Sequence, residues 1–339
     1  MGRYLLVTVV EGEIPDAGPK APGDICKIAE EAGVAENLFF STKKGMDYPI
    51  FLEVMSKLRK AVAQGREVIL QYPFQPYFYH ENQALYAQLL TCLNPDRTII
   101  FLHDLNHLRL PDMEVYHNEM EWLYPFRRFI VHNHQMESYL RKHLRIEQCI
   151  HNEIFDYLCV EENSNTQKCS SLEKAPVIIF AGNLSRQKVP FLYDLREDKM
   201  NYHMRLYGKR GTTLENSKIN YCGSYPAGIL PDRVRGDIGL IWDGEVDALT
   251  DSSAQKKYNR YNMPHKFSCY MAAGLPVIAW KEAAVADIIR KYHVGYLVGN
   301  LYDINNLNLA DYGECLHNAE ELGRKVREGY FTRKFLEKL

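Results

Sequence analysis

A few short stretches hold most of the side chains whose types and spacing could do chemistry. In YNMPHKFSCYMAAGLPVIAW, residues 261–280, Lys266 stands just inside a short apolar segment, with His265 beside it and Pro264 before it. Gly274 and Pro276 suit a helix stop followed by a buried strand, so HKFSCYMAAG is expected to be a helix with its N-terminus at a sheet edge. Exposed N–H groups at a helix start favour an anion, and a cation in the first turn opposes the helix dipole unless an anion lies between them. A phosphate resolves that conflict; a solvated lysine is the plain alternative.

A second anion-friendly loop is AGNLSRQK, residues 181–188, where Gly182 admits close backbone approach and Arg186 offers a planar fork to diphosphate oxygens. In RLYGKRG, residues 205–211, Tyr207 could stack on a base or lie in the core. Asn183, Asn262 and His265 within these stretches, with Trp242 in the strand pattern DIGLIWDG, complete the candidate donor contacts. Together they suit a nucleoside diphosphate.

FLHDLNHLR, residues 101–109, spaces His103 and His107 as a helical HExxH zinc motif does, but Asp104 replaces the glutamate and the stretch follows directly on an apolar strand. Zinc is not expected there. His103 and Asp104 at a strand end could instead take a proton from a hydroxyl, or Asp104 could cap the next helix. Glu11 and Asp16, in a Gly- and Pro-rich stretch after the first strand, are alternative proton acceptors in a loop suited to closing over substrate. QYPFQPYFYH, residues 71–80, mixes aromatic faces with amides, as a sugar ring requires, although core aromatics would read the same. QMESYLRKHLR, residues 135–145, is a basic helix whose apolar side is expected in the core, with contact to acidic lipid as the alternative.

The elements that must position these residues alternate. Strands at 3–10, 67–73, 98–104 and 128–133 are separated by helical patterns at 24–33, 50–64, 81–93 and before Pro125, and a second series at 176–184, 204–209, 237–244, 275–280 and 296–299 follows a polar stretch. Such alternation predicts α/β domains with parallel sheets. We expect residues 1–160 as a first Rossmann-like domain, 161–176 as linker, 177–318 as a second domain, and 319–339 as a terminal helical segment packing back on the first. Two doubly wound domains facing across a cleft bind ligands at the carboxyl ends of their strands.

The length of 339 residues and 46% hydrophobic content support two cores, and a formal charge of −2 gives no basic face for duplex nucleic acid. Eight scattered cysteines without a CxxC pair indicate neither a zinc knuckle nor a disulfide framework. The amino terminus lacks a signal-peptide pattern and no segment reaches the length of a membrane span, so a cytoplasmic protein is expected. The sequence is compatible with contact at the inner membrane face and with a homo-oligomer. No D-x-D, P-loop, G-x-G-x-x-G or G-x-S-x-G motif is present, which disfavours kinases, standard dehydrogenases and serine hydrolases and leaves a metal-free transferase.

The 261–280 segment, with QYPFQ, FLHDLNHLR, VHNHQM and AGPKAPGDI, resembles bacterial β-1,6-galactofuranosyltransferases and, more distantly, the glucosyltransferase that extends N-acetylglucosamine on streptococcal serine-rich repeat adhesins. The resemblance implies a GT-B fold with the donor nucleotide on the second domain and the acceptor toward the first. It also implies diphosphate contacts from Lys266 and Arg186, with Tyr207 in the nucleotide region. Many retaining enzymes of this fold carry a glutamate five residues before the glycine matched by Gly274; here that residue is Cys269. The expected activity is transfer of a hexose, galactofuranose or glucose, from a UDP-sugar to a glycan hydroxyl, inverting, with Asp104 as leading base and no metal or other cofactor. The alternatives are another nucleotide-sugar enzyme, such as an epimerase or phosphorylase, and a catalytically silent UDP-binding subunit.

Overall fold

A computed structural model describes residues 3–11, 17–42, 48–73, 89–160, 175–209, 214–248, 250 and 252–339. The chain divides into two compact units, Met1–Asp156 with Gly329–Leu339, and Tyr157–Glu328.

The first unit carries strands β1 (Tyr4–Glu11), β2 (Ala35–Thr42), β3 (Glu67–Tyr72), β4 (Thr98–Leu102), β5 (Arg128–Val131) and β6 (Gln148–His151), all parallel, in the order β2-β1-β3-β4-β5-β6. Its helices are α1 (Ala17–Glu31), α2 (Tyr48–Ala63), α3 (Asn106–Arg109), α4 (Glu119–Leu123) and α5 (His134–His143). Every residue of β4 is buried, as the continuous apolar run of a sheet covered on both faces requires. Phe101 pairs with Ile130, and Val131 with His151. One residue past the strand ends, His103, His132 and Asn152 therefore fall in one row.

The second unit carries β7 (Val177–Ala181), β8 (His203–Tyr207), β9 (Ile219–Tyr221), β10 (Ile238–Ile241), β11 (Val277–Trp280) and β12 (Gly295–Val298), also parallel, in the order β12-β11-β10-β7-β8-β9. Its helices are α6 (Phe191–Asp194), α7 (Leu230–Arg233), α8 (Ala254–Tyr258), α9 (His265–Ala272), α10 (Val285–Tyr292) and α11 (Tyr312–Arg327). Counted within the unit this is the doubly wound dinucleotide-binding order, and the winding reverses between β7 and β10, where such sheets open a crevice for ligands.

Several expectations are corrected. Residues 17–23, read as part of a loop, are the first turns of α1, with Pro22 inside the helix. The C=O of Pro22 accepts from the Gln71 amide at 3.1 Å, so the disturbed turn is tied to β3. Strands β2, β6 and β9 were not anticipated; all three are sheet edges. The terminal break also differs from the expected 318/319: α11 belongs to the second unit, and Gly329, at φ 75°, turns the chain into α12 (Tyr330–Leu336). Buried Asp156 accepts the backbone N–H groups of Phe331 (3.2 Å) and Thr332 (2.6 Å), while Phe335 packs edge-on against Phe101 at 5.1 Å. Residues 161–174 of the expected linker and 81–88 of one expected helix lie outside the described residues. Among the described residues no helix is long and apolar enough to cross a membrane.

Candidate active site

In the second unit the site is built by the end of β7, the end of β10 and the start of α9. Tyr270, buried on α9, fixes that helix against the sheet: its hydroxyl accepts the Ala181 N–H at 2.9 Å and lies 3.3 Å from Ile179 O and 3.2 Å from Leu240 O, spanning β7 and β10. Gly239 makes room, since a Cβ there would meet the Tyr270 ring at 2.4 Å. Gly274, at φ 64°, stops the helix, with its N–H on Met271 O at 2.7 Å and the Leu275 N–H on Tyr270 O at 2.9 Å. The first turn of α9 is thereby held at the point where the winding reverses.

Lys266 occupies that turn. Its Nζ donates to Asp243 Oδ1 at 3.0 Å, lies 3.4 Å from Trp242 O and sits 4.4 Å over the Phe180 ring. The side chain is 19% exposed. Burial lowers the ammonium pKa, Asp243 opposes that shift, and the charge of Lys188 adds to it. A buried ammonium beside a second cation and one carboxylate is a site with positive potential to spare, suited to a multiply charged anion. The backbone comes close here as well: a Cβ on Gly182 would meet Lys266 Cε at 3.1 Å, and one on Gly208 would fall 1.7 Å from Gly182 O. Only glycine lets the loops after β7 and β8 touch and lie against the lysine.

The remaining donor candidates divide. Asn183 is exposed and its Oδ1 accepts the Ser185 N–H at 3.0 Å, shaping the loop after β7. Arg186 is 72% exposed, 5.3 Å over the Tyr193 ring and 3.8 Å from Asp194. His265 stacks on Tyr157 at 4.8 Å, and the Asn262 N–H bonds Tyr258 O at 3.2 Å. Two candidates are corrected. The Tyr207 ring is buried and its hydroxyl accepts the Arg235 N–H at 3.0 Å, so it is a core residue, not a platform for a base. The Trp242 indole is buried and donates to Glu245 O at 2.7 Å; its carbonyl, not its ring, faces Lys266.

At the strand ends of the first unit, Asp104 pairs with Arg109 and is 28% exposed. The His103 N–H holds Tyr72 O at 2.7 Å, and its ring lies 4.7 Å from Phe101 and 5.2 Å from Phe155. His107 is fully engaged: Nδ1 meets Glu119 Oε2 at 2.5 Å and Nε2 meets the Tyr139 hydroxyl at 2.7 Å. Glu119 also accepts from the N–H groups of Asn106 (3.1 Å) and His107 (2.8 Å) and from the Tyr72 hydroxyl (2.9 Å). The HDLNH spacing thus serves a buried carboxylate that anchors α3. Glu11 ends β1, and Asp16 and residues 74–80 lie outside the described residues.

Comparison with known proteins places this architecture. Residues 3–154 match the glucosyltransferase 3-like N-terminal domain and residues 178–339 the corresponding C-terminal domain. The chain belongs to the glucosyltransferase 3-like family. It is 28% identical to the beta-1,6-galactofuranosyltransferase WbbI of Escherichia coli K12, over 96% of this chain and 94% of that protein. It is 25% identical to glucosyltransferase 3 of Streptococcus gordonii, over 93% of this chain and 92% of that one. Among solved structures, Anabaena HepE in complex with UDP-glucose matches with a TM-score of 0.58 at 12% identity, covering 98% of this chain and 97% of that chain. The fold is that of GT-B glycosyltransferases, and this glucosyltransferase 3-like protein is a glycosyltransferase.

Two residues of the site were missed by the sequence reading. Asp243 stands two residues past the end of β10 in the run IGLIWDG, and the strand-end rule could have found it. Lys188 carries no such signal; only the fold of the 182–188 loop brings its charge near Lys266.

Proposed function

We propose that this glycosyltransferase moves a hexose, galactofuranose or glucose, from a UDP-sugar to a hydroxyl of a glycan acceptor, with inversion and without a metal. The observation that carries the donor assignment is Lys266, held between the ends of β7 and β10 with Asp243 on its ammonium. A diphosphate entering there would compete with Asp243 for Lys266, gain Lys188 and the start of α9, and lie against the glycine backbone after β7. These groups supply fixed positive charge as the leaving diphosphate develops its own, the task a metal performs in other transferases. Arg186, exposed on the same loop, would leave Tyr193 and Asp194 to reach the distal phosphate.

Inversion needs one base for the acceptor hydroxyl. Asp104 fills that role best, with Arg109 orienting its carboxylate, and Glu11 and Asp16 stand behind it. The galactofuranose and glucose choices rest on the names of the relatives. Exposed Arg141, Lys142 and Arg145 at the end of α5 favour a peripheral contact with anionic lipid.

The test is a calorimetric panel of nucleotide sugars with the purified chain, followed by mass spectrometry of acceptor products with the tightest donor. Binding of UDP-hexoses and an acceptor product one hexose heavier are expected. Preference for a purine nucleotide, or product formed from donor alone, overturns the reading.

A further inference from the structure

The start of α5 and the end of β6 bring together side chains with metal-ligand chemistry. Asn133 caps α5, its Oδ1 accepting the Met136 N–H at 2.8 Å, so His134 opens the helix. Glu137 lies one turn on, over the same face. His151 is the last residue of β6. His151 Nε2 lies 2.7 Å from Glu137 Oε2, and His134 Nδ1 lies 3.8 Å from the same oxygen. The two imidazoles stand nearly edge to face with centroids 4.5 Å apart. All three ligand atoms fall within 4.8 Å of one another.

An ordinary ion pair needs one histidine for this carboxylate, and Arg141 already supplies a cation, its Nε donating to Glu137 Oε1 at 2.8 Å. That bond orients the carboxylate and leaves Oε2 facing both imidazoles, as hydrogen bonds from outside a metal site do for its ligands. Bonds of about 2.1 Å to zinc place tetrahedral N and O ligands roughly 3.4 Å apart, and the separations of 2.7 and 3.8 Å bracket that spacing.

We propose that His134, Glu137 and His151 bind a zinc-class divalent cation, pinning the start of α5 to the end of β6. Two imidazoles with one carboxylate suit borderline cations such as zinc, whereas magnesium and calcium require oxygen donors. Binding takes lone pairs from neutral imidazoles and from the carboxylate. The role proposed is structural and adds no metal to the transfer chemistry.

The test titrates the metal-stripped, full-length chain with Zn²⁺ and with Co²⁺. One ion per chain is expected, with a rise in melting temperature and intense visible absorption of tetrahedral cobalt. His134→Ala removes a side chain that is 86% exposed and leaves the metal-free melting temperature unchanged. It should weaken zinc binding by more than about tenfold, as loss of even an outer partner does. Absence of saturable binding, or wild-type affinity in both His134→Ala and His151→Ala, overturns the site.

Discussion

The two sheets present their carboxyl edges in opposite chemical styles. At the edge of the second unit the winding reverses between β7 and β10, and what stands there is backbone opened by glycine, a helix start and an ammonium opposed by one carboxylate. At the edge of the first unit the winding reverses between β1 and β3, while the best-defined groups stand after β4, β5 and β6: Asp104 with Arg109, His107 with Glu119, and buried His132 and Asn152. On the function proposed above, one edge is suited to receive negative charge, while the other holds carboxylates and imidazoles in place. The same parallel α/β plan thus leaves an ammonium beside open backbone where small residues let chains approach, and carboxylate pairs with arginine and histidine where side chains tie the loops to one another.

The contrast breaks first at the acids and bases. Asp104→Asn should lower kcat by roughly 10²–10⁴-fold, the range for loss of a general base, while UDP binding measured by calorimetry stays at the native value. Unchanged turnover would move the base to Glu11 or Asp16. Lys266→Ala should lower kcat at saturating donor by roughly 10²–10³-fold, as removal of one fixed donor to a developing anion does, with a smaller change in donor KM. A rise in KM alone would mean that Lys266 binds donor and transition state equally.

The titration of the first unit sharpens the comparison next. Burial lowers the His132 pKa to about 4, against the bond to Asn152 O and the charge of Asp104 and with the charge of His151, so the unfolded chain binds the proton more tightly. Stability from this group is present above pH 6.5 and is lost as pH falls toward 4, by about 3 kcal/mol. Burial raises the Asp156 pKa to about 6, so the folded chain binds that proton more tightly and stability is gained as pH falls from 6 toward 3.8, again by about 3 kcal/mol. The two oppose each other over nearly one window. His132→Gln should therefore tilt the unfolding free energy upward on acidification between pH 6.5 and 4, relative to the native chain. Parallel profiles would show that His132 does not titrate as its burial requires. The smallest effect is expected at Gly208→Ala, where a Cβ 1.7 Å from Gly182 O forces the two loops apart. A loss of roughly 1–3 kcal/mol should appear as a lower denaturant midpoint with unchanged slope, together with weaker UDP binding.

How much of this could be read beforehand followed burial. The apolar runs of the central strands β1, β3, β4, β7, β10 and β11 were legible, and so was the edge strand β12 in YLVG; the other three edges, β2, β6 and β9, were not, because an edge strand need not carry such a run. The same limit explains Tyr207 and Trp242. An aromatic after or at the end of a strand reads equally as platform or core, and the hydroxyl and indole partners that settle it, Arg235 N and Glu245 O, are set by the fold of neighbouring loops.

By itself the sequence determined the alternation that makes two parallel α/β units, the helix stop at Gly274, the place of Lys266 in the first turn of α9, and membership of a glycosyltransferase family. Those features are local: they follow from periodicity, from the φ a glycine allows and from short motifs. Only the tertiary structure decided that Asp243 and Lys188 share the lysine's surroundings, that His107 serves Glu119, and that His151 meets His134 and Glu137. Those pairings join residues that the sheet registers and helix packing bring together from different elements or fold back within one loop, and neither periodicity nor a local motif reports such a distance.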